Sequence, residues 1–191
     1  MILKYKQYPI IGGILMGMLF KIIFIGIGLS MDAFSLSILY GTLNLSKKQI
    51  MHLAVVVGIY HFIMPFIGNL LGNFFLSYIT KVEYVVGFIF LCLSIQMLFS
   101  IKKQEEITIL TNFLSFLLFG FTVSIDSFSI GLALGAMKYN ILLSCLNFSI
   151  LSALFTYFGL KIGKTFSRYY GNYATIFGSI ILFVIALTYF F

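Results

Sequence analysis

Charge is what this chain has least of. Only 9% of its 191 residues are charged and 61% are hydrophobic, whereas a soluble globular domain carries about 25% charged residues. That excludes a water-soluble fold. Cysteine is scarce too. Cys92 and Cys145 stand alone in different apolar runs, with no neighbouring Cys or His at ligand spacing, so neither a disulfide framework nor a thiolate zinc site is indicated. No glycine-rich phosphate loop or soluble nucleotide domain is present to couple ATP hydrolysis to the chain. Asp32 and Asp126 are the only aspartates.

What remains is a series of long apolar runs. They are too long and too continuous for barrel strands, which alternate and last about ten residues, so the spans are helices that satisfy their own backbone polar groups. The expected fold is an all-α integral membrane protein. Six transmembrane helices are predicted, roughly over residues 21–40, 52–72, a third ending near 100, then 112–136, 141–160 and 172–191. Residues 1–20 read as an N-terminal extension that imitates a signal peptide but lacks a small-x-small cleavage pattern before Lys21. Pro65 falls inside the second span and predicts a local irregularity, because it frees a carbonyl.

One segment occurs twice. Gly28-Leu29-Ser30-Met31-Asp32-Ala33-Phe34-Ser35 and Thr122-Val123-Ser124-Ile125-Asp126-Ser127-Phe128-Ser129 share Ser, Asp, Phe and Ser in one register, and Gly41 is matched by Gly135. Gly68 and Gly72 are echoed by Gly159 and Gly163. The chain thus divides into a first three-helix repeat over 21–101, a charged central loop over 102–111 and a second three-helix repeat over 112–191. An odd number of spans per repeat forces the second copy to be inverted, an architecture in which secondary transporters place a midplane site at the repeat interface. Basic residues cluster in the gaps after spans one, three and five: Lys47, Lys48, Lys102, Lys103, Lys161, Lys164 and Arg168. The positive-inside rule makes those gaps cytoplasmic and both termini external. The net charge of +7 therefore serves topology and lipid headgroups, and implies no nucleic-acid partner.

An aspartate at the centre of a membrane helix costs about 2.5–3.5 kcal/mol, and each Leu, Ile, Phe or Val returns roughly 0.3–0.6. Accepting that cost twice at matching positions points to function, with interhelical hydrogen bonding as the competing explanation. Helical spacing places Gly28, Asp32 and Ser35 on one face and Thr122, Asp126 and Ser129 on another, so each face offers a carboxylate beside a hydroxyl. Ser30 and Ser124 point nearly the opposite way and are expected to bond back to their own helices. His61, one turn before Pro65, is a candidate metal ligand or proton relay, or a packing residue. Asn69, Asn73 and Asn147 are further oxygen donors, or simply packing amides.

Two carboxylates with hydroxyl oxygens form a hard-ligand site suited to Mg²⁺, Ca²⁺ or Mn²⁺ rather than Cu⁺ or Zn²⁺. Held close in low dielectric they repel, and either protons or one divalent cation relieves the repulsion. Proton and metal would compete for one site, which predicts metal export by proton antiport. An exporter of amino acids would need a cationic group deep in a span, and none is present. A non-transporting membrane scaffold is the alternative from another class. No nucleophile, base and oxyanion donor can be assembled from so few polar residues, so an enzyme is not expected.

Gly28-Leu29-Ser30-Met31-Asp32-Ala33-Phe34, Met64-Pro65-Phe66-Ile67-Gly68-Asn69-Leu70-Leu71-Gly72 and Ser124-Ile125-Asp126 together resemble the MntP family of bacterial manganese efflux pumps. The resemblance covers essentially the whole chain beyond Lys21. It implies export of Mn²⁺ across the bacterial plasma membrane, with Mn²⁺ as cargo rather than as a resident cofactor. The intramembrane aspartates important in that family correspond to Asp32 and Asp126. Ca²⁺, Cd²⁺ and Mg²⁺ remain alternative cargoes, since His61 stands where the family has Gln or Glu. The candidate metal site is therefore Asp32, Asp126, Ser35, Ser129 and His61, with protons as counter-ion; oligomeric state is open.

Overall fold

The computed structural model describes residues 8–43, 45–75, 81–101, 113–137, 139–163, 165 and 168–191. Six helices account for nearly all of them: α1 (Tyr8–Gly41), α2 (Lys47–Phe75), α3 (Val82–Ser100), α4 (Phe113–Ala136), α5 (Ile141–Ile162) and α6 (Arg168–Phe190). Each is long and apolar enough to cross a membrane. Even the 19 residues of α3 reach about 29 Å at a rise of roughly 1.5 Å per residue, close to the hydrocarbon thickness of a bilayer. The chain is an all-α membrane protein. The predicted central loop over 102–111 lies outside the described residues.

Two boundaries differ from the sequence-based expectation. Helix α1 begins at Tyr8 and runs without interruption past Lys21, and its membrane-spanning stretch covers Gly17–Gly41. Helix α2 passes through Pro65 unbroken; there Gly131 of α4 lies directly against the Pro65 backbone, and the packed neighbour holds the helix in line. Start signals are conventional. Ser46 and Gln49 form a capping box at the head of α2, with Ser46 N–H donating to Gln49 Oε1 at 2.9 Å and Gln49 N–H to Ser46 Oγ at 3.3 Å. Asn140 Oδ1 accepts from Leu143 N–H at 3.1 Å at the head of α5.

Close contacts give the direction of each helix against its neighbours. Helices α1 and α5 run parallel: Gly26 faces Phe148, Ser30 faces Ser152 and Gly41 faces Gly163. Helices α2 and α4 also run parallel, with Gly120 against Tyr60, Gly68 against Phe128 and Gly72 against Leu132. Helix α6 runs antiparallel to α1, through Gly28 on Leu182 and Gly178 on Met31, and to α3, through Gly87 on Tyr189 and a hydrogen bond from Ser94 Oγ to Ser179 O at 2.8 Å. Tyr40 packs on Phe119 with ring centroids 4.7 Å apart, and α1 and α4 pass each other in opposite directions. The α1–α2, α3–α4 and α5–α6 connections consequently share one end of the bundle.

Glycine sets the closest approaches. A side chain at Gly72 would run into the Leu132 carbonyl, and one at Gly163 into the Ile38 carbonyl. Such contacts replace the hydrophobic drive that lipid, as apolar as a protein core, does not provide between membrane helices. Phe24, Phe74, Phe88 and Leu114 are exposed on the perimeter, while Ser30, Ser37, Ser124, Ser127, Ser144 and Ser152 are buried inside, the reverse of a soluble protein. One apolar cluster, including Ile25, Leu29, Phe90, Leu134, Phe148 and Tyr189, fills the end of the bundle away from the α3–α4 connection. A second, including Tyr40, Leu53, Phe119 and Leu160, joins α1, α2, α4 and α5 toward the other end.

Candidate functional site

Asp32 and Asp126 line the same cavity, of about 330 Å³, between α1, α3 and α4. The antiparallel crossing of α1 and α4 brings the two repeats of the Ser-x-Asp segment to one depth, and the carboxylates interact electrostatically. Asp126 Oδ1 is buried with no hydrogen-bond partner among the described residues. A buried polar atom left unpaired costs about 1–3 kcal/mol, and more when charged. Two interacting carboxylates favour whatever neutralises them, a proton or a cation.

The rest of the lining is polar along one edge. Leu93, Gln96, Met97, Phe99 and Ser100 line the cavity from α3, and Thr122 and Ile125 join Asp126 from α4. Ser100 Oγ donates to Met97 O at 2.7 Å, and Thr122 Oγ1 to Leu118 O at 2.9 Å. From the aspartates the lining continues toward Leu36 in α1, Ser100 in α3 and Thr122 in α4. All three lie toward the end of the bundle that carries the α1–α2 and α3–α4 connections. A divalent cation would thus meet two carboxylates, an amide and two hydroxyl oxygens.

The other residues expected from the sequence lie elsewhere. Ser35 faces α6, where its Oγ would be 3.1 Å from a Cβ on Gly171, and Ser129 is half-buried on α4 outside the cavity lining. His61 is fully buried; its Nδ1 is 3.0 Å from Val57 O, and its Nε2 has no partner among the described residues. It does not line the cavity. Among the described residues no three of His, Cys, Asp and Glu gather at metal-binding distance. Ser30 and Ser124 bond back to their own helices, to Gly26 O and Gly120 O, each at 2.6 Å, as their position two residues before each Asp implies. Asn147 faces Gly26 of α1, and Asn69 is buried in α2. Gln96 and Ser100 were not singled out from the sequence. Their signal was an amide inside an apolar span with a hydroxyl one turn on.

Six membrane-spanning helices, three of which enclose a cavity lined by two carboxylates, are the framework of a multi-pass membrane transporter rather than an enzyme. Residues 44–190 match the family described as "Putative manganese efflux pump". The chain is 34% identical over 177 residues, 92% of this chain and 97% of the relative, to a protein of Geobacillus thermodenitrificans named "Putative manganese efflux pump MntP". It is 38% identical over 166 residues, 86% of this chain and 91% of the relative, to proteins of the same name from Bacillus cereus and Bacillus thuringiensis. This chain belongs to the MntP family, and is a multi-pass protein of the bacterial plasma membrane. No solved structure matches it.

Proposed function

We propose that this protein exports Mn²⁺ from the cytoplasm by proton antiport, with Asp32 and Asp126 forming one cargo site that is alternately protonated and metallated. The observation that carries the reading is the shared cavity of the two aspartates. Two carboxylates match the charge of one divalent ion, and replacing two protons by one Mn²⁺ leaves the site neutral in both states. The relatives' name supplies manganese as the cargo.

The helix directions support an inverted pair of three-helix repeats. The two aspartate helices, α1 and α4, are antiparallel, and the α1–α5 contact has its counterpart in α4–α2. The cavity reaches from mid-depth toward the end bearing the exposed Lys47, Lys48 and Lys161, which the positive-inside rule assigns to the cytoplasm. An exporter loads its cargo there. Lys21, which would sit at the opposite end, has its Nζ 5.0 Å from the centre of the Tyr189 ring, a contact that accounts for a cation on that side.

The test is cellular manganese, measured by elemental analysis in manganese-sensitive cells expressing the wild type, Asp32→Asn or Asp126→Asn at matched levels. Only the wild type is expected to lower manganese and restore growth. Equal behaviour of all three would make the aspartates structural. Loss of another divalent ion, with manganese unmoved, would reassign the cargo.

A further inference from the structure

We infer that Gln96 of α3 is a cargo-contacting residue that supplies a neutral oxygen to the divalent ion held by Asp32 and Asp126, and so sets the affinity of that site. The inference rests on the proposed carboxylate site and adds to it a third helix, for which the aspartate repeat provides no residue.

Helix α3 is apolar almost throughout. Its wall on the cavity is Leu93, Gln96, Met97, Phe99 and Ser100; Leu93, Gln96, Met97 and Ser100 follow the i, i+3, i+4 and i+7 spacing of one helix face, and Phe99 flanks Gln96. Its contacts with α6 run through Gly87, Ser94 and Met97, and Phe88, Ile95 and Leu98 are exposed on the perimeter. Gln96 is exposed, yet it belongs to the wall facing the aspartates. An amide set inside a bilayer must find polar partners, and residues of this kind mark ion pathways. Here the cavity that it lines, with its carboxylates and hydroxyls, offers such partners.

The neighbouring hydroxyls offer acceptors to the cavity. Ser100 and Thr122 have already committed their protons to the carbonyls of Met97 and Leu118, so each presents only lone pairs outward. With the two carboxylates, these are acceptors that a metal ion satisfies. Gln96 can turn its carbonyl Oε1 to the same point. As a neutral ligand it adds coordination without adding charge. The site stays at two negative charges, which one divalent ion balances, and Mn²⁺, Mg²⁺ and Ca²⁺ are then separated by donor number and geometry.

The experiment uses the full chain in proteoliposomes, with initial Mn²⁺ transport followed over a range of Mn²⁺ concentrations for the wild type, Gln96→Leu, Gln96→Asn and Asp32→Asn. Gln96→Leu is expected to raise KM for Mn²⁺ about tenfold, with kcat changed by about twofold or less, as loss of a contact made equally on binding and in transport would do. Gln96→Asn keeps the amide but shortens it by one methylene and should fall between wild type and Gln96→Leu. An unchanged KM in Gln96→Leu, or a fall in kcat alone, would overturn the inference. Should Gln96→Leu fail to fold, the Asn variant decides: a KM equal to that of the wild type counts against the contact. Wild-type transport by Asp32→Asn would instead remove the underlying carboxylate site.

Discussion

Tyr139 and Tyr189 meet hydroxyl to hydroxyl at 3.2 Å, tying the segment ahead of α5 to the last turn of α6. Phe90 of α3 stacks on Tyr189 at 5.8 Å with ring planes 4° apart, and the Lys21 Nζ lies 5.0 Å from the centre of the Tyr189 ring. Four parts of the chain therefore converge at the end opposite the cavity mouth. There the bundle is closed by aromatic packing. Toward the other end, the cavity lining runs from the aspartates to Leu36, Ser100 and Thr122.

Removing the tyrosine pair should loosen the closed end in graded steps. Tyr189→Phe deletes one hydrogen bond and is expected to lower stability by about 0.6 kcal/mol, the average for such bonds between membrane helices. Tyr189→Ala also removes the stack and the cation–π contact, for about 3 kcal/mol or more. Thermal unfolding in detergent, read by tryptophan-free near-ultraviolet signals of the tyrosines, orders the two variants. Equal losses would show that the ring contacts add nothing to the hydroxyl pair.

The glycine seam between α2 and α4 makes a second expectation. Gly72→Val puts atoms into the Leu132 backbone, which no rotamer change can relieve, and should destabilise by about 1–3 kcal/mol or abolish insertion of a packed bundle. Gly17→Ala meets nothing within 4 Å and should stay within about 0.5 kcal/mol of the wild type. Monodispersity on size exclusion and the unfolding midpoint check both. Because α4 carries Asp126, transport should fall with Gly72→Val and persist with Gly17→Ala.

A third expectation separates the cavity from its surroundings. Ser35 packs on α6 and His61 is buried in α2, both away from the cavity lining. Ser35→Ala and His61→Gln should therefore leave KM for Mn²⁺ within about twofold of the wild type, whatever they do to stability. A tenfold rise in KM for His61→Gln would bring the imidazole into the cargo path, through a conformation other than this one.

Several of these features were legible in the linear chain. Runs of twenty apolar residues leave a helix as the only way to satisfy backbone groups in lipid, so the number and order of spans followed from composition. Two aspartates in matching apolar segments were visible because each is costly and each is conspicuous. The back-bonding of Ser30 and Ser124 followed from local helical geometry alone. The boundaries were less accessible: α1 extends to Tyr8, and α2 continues through Pro65, where Gly131 of the neighbouring α4 packs against it.

Lateral arrangement was not legible, and the reason is physical. In water an amphipathic stripe announces which face of a helix is buried; in a bilayer, lipid and protein interior are equally apolar, and a helix that is hydrophobic all round shows no preferred face. Nothing in the segment around Gln96 says that it lines one cavity with Asp32 and Asp126, and nothing in Ser35 says that it meets Gly171. Those outcomes depend on where glycines allow backbones to touch, as at Gly72 on Leu132 and Gly163 on Ile38. Span number and the paired carboxylates are properties of the chain read along its length, whereas the composition of the cavity is set by side-to-side packing, which only the folded bundle decides.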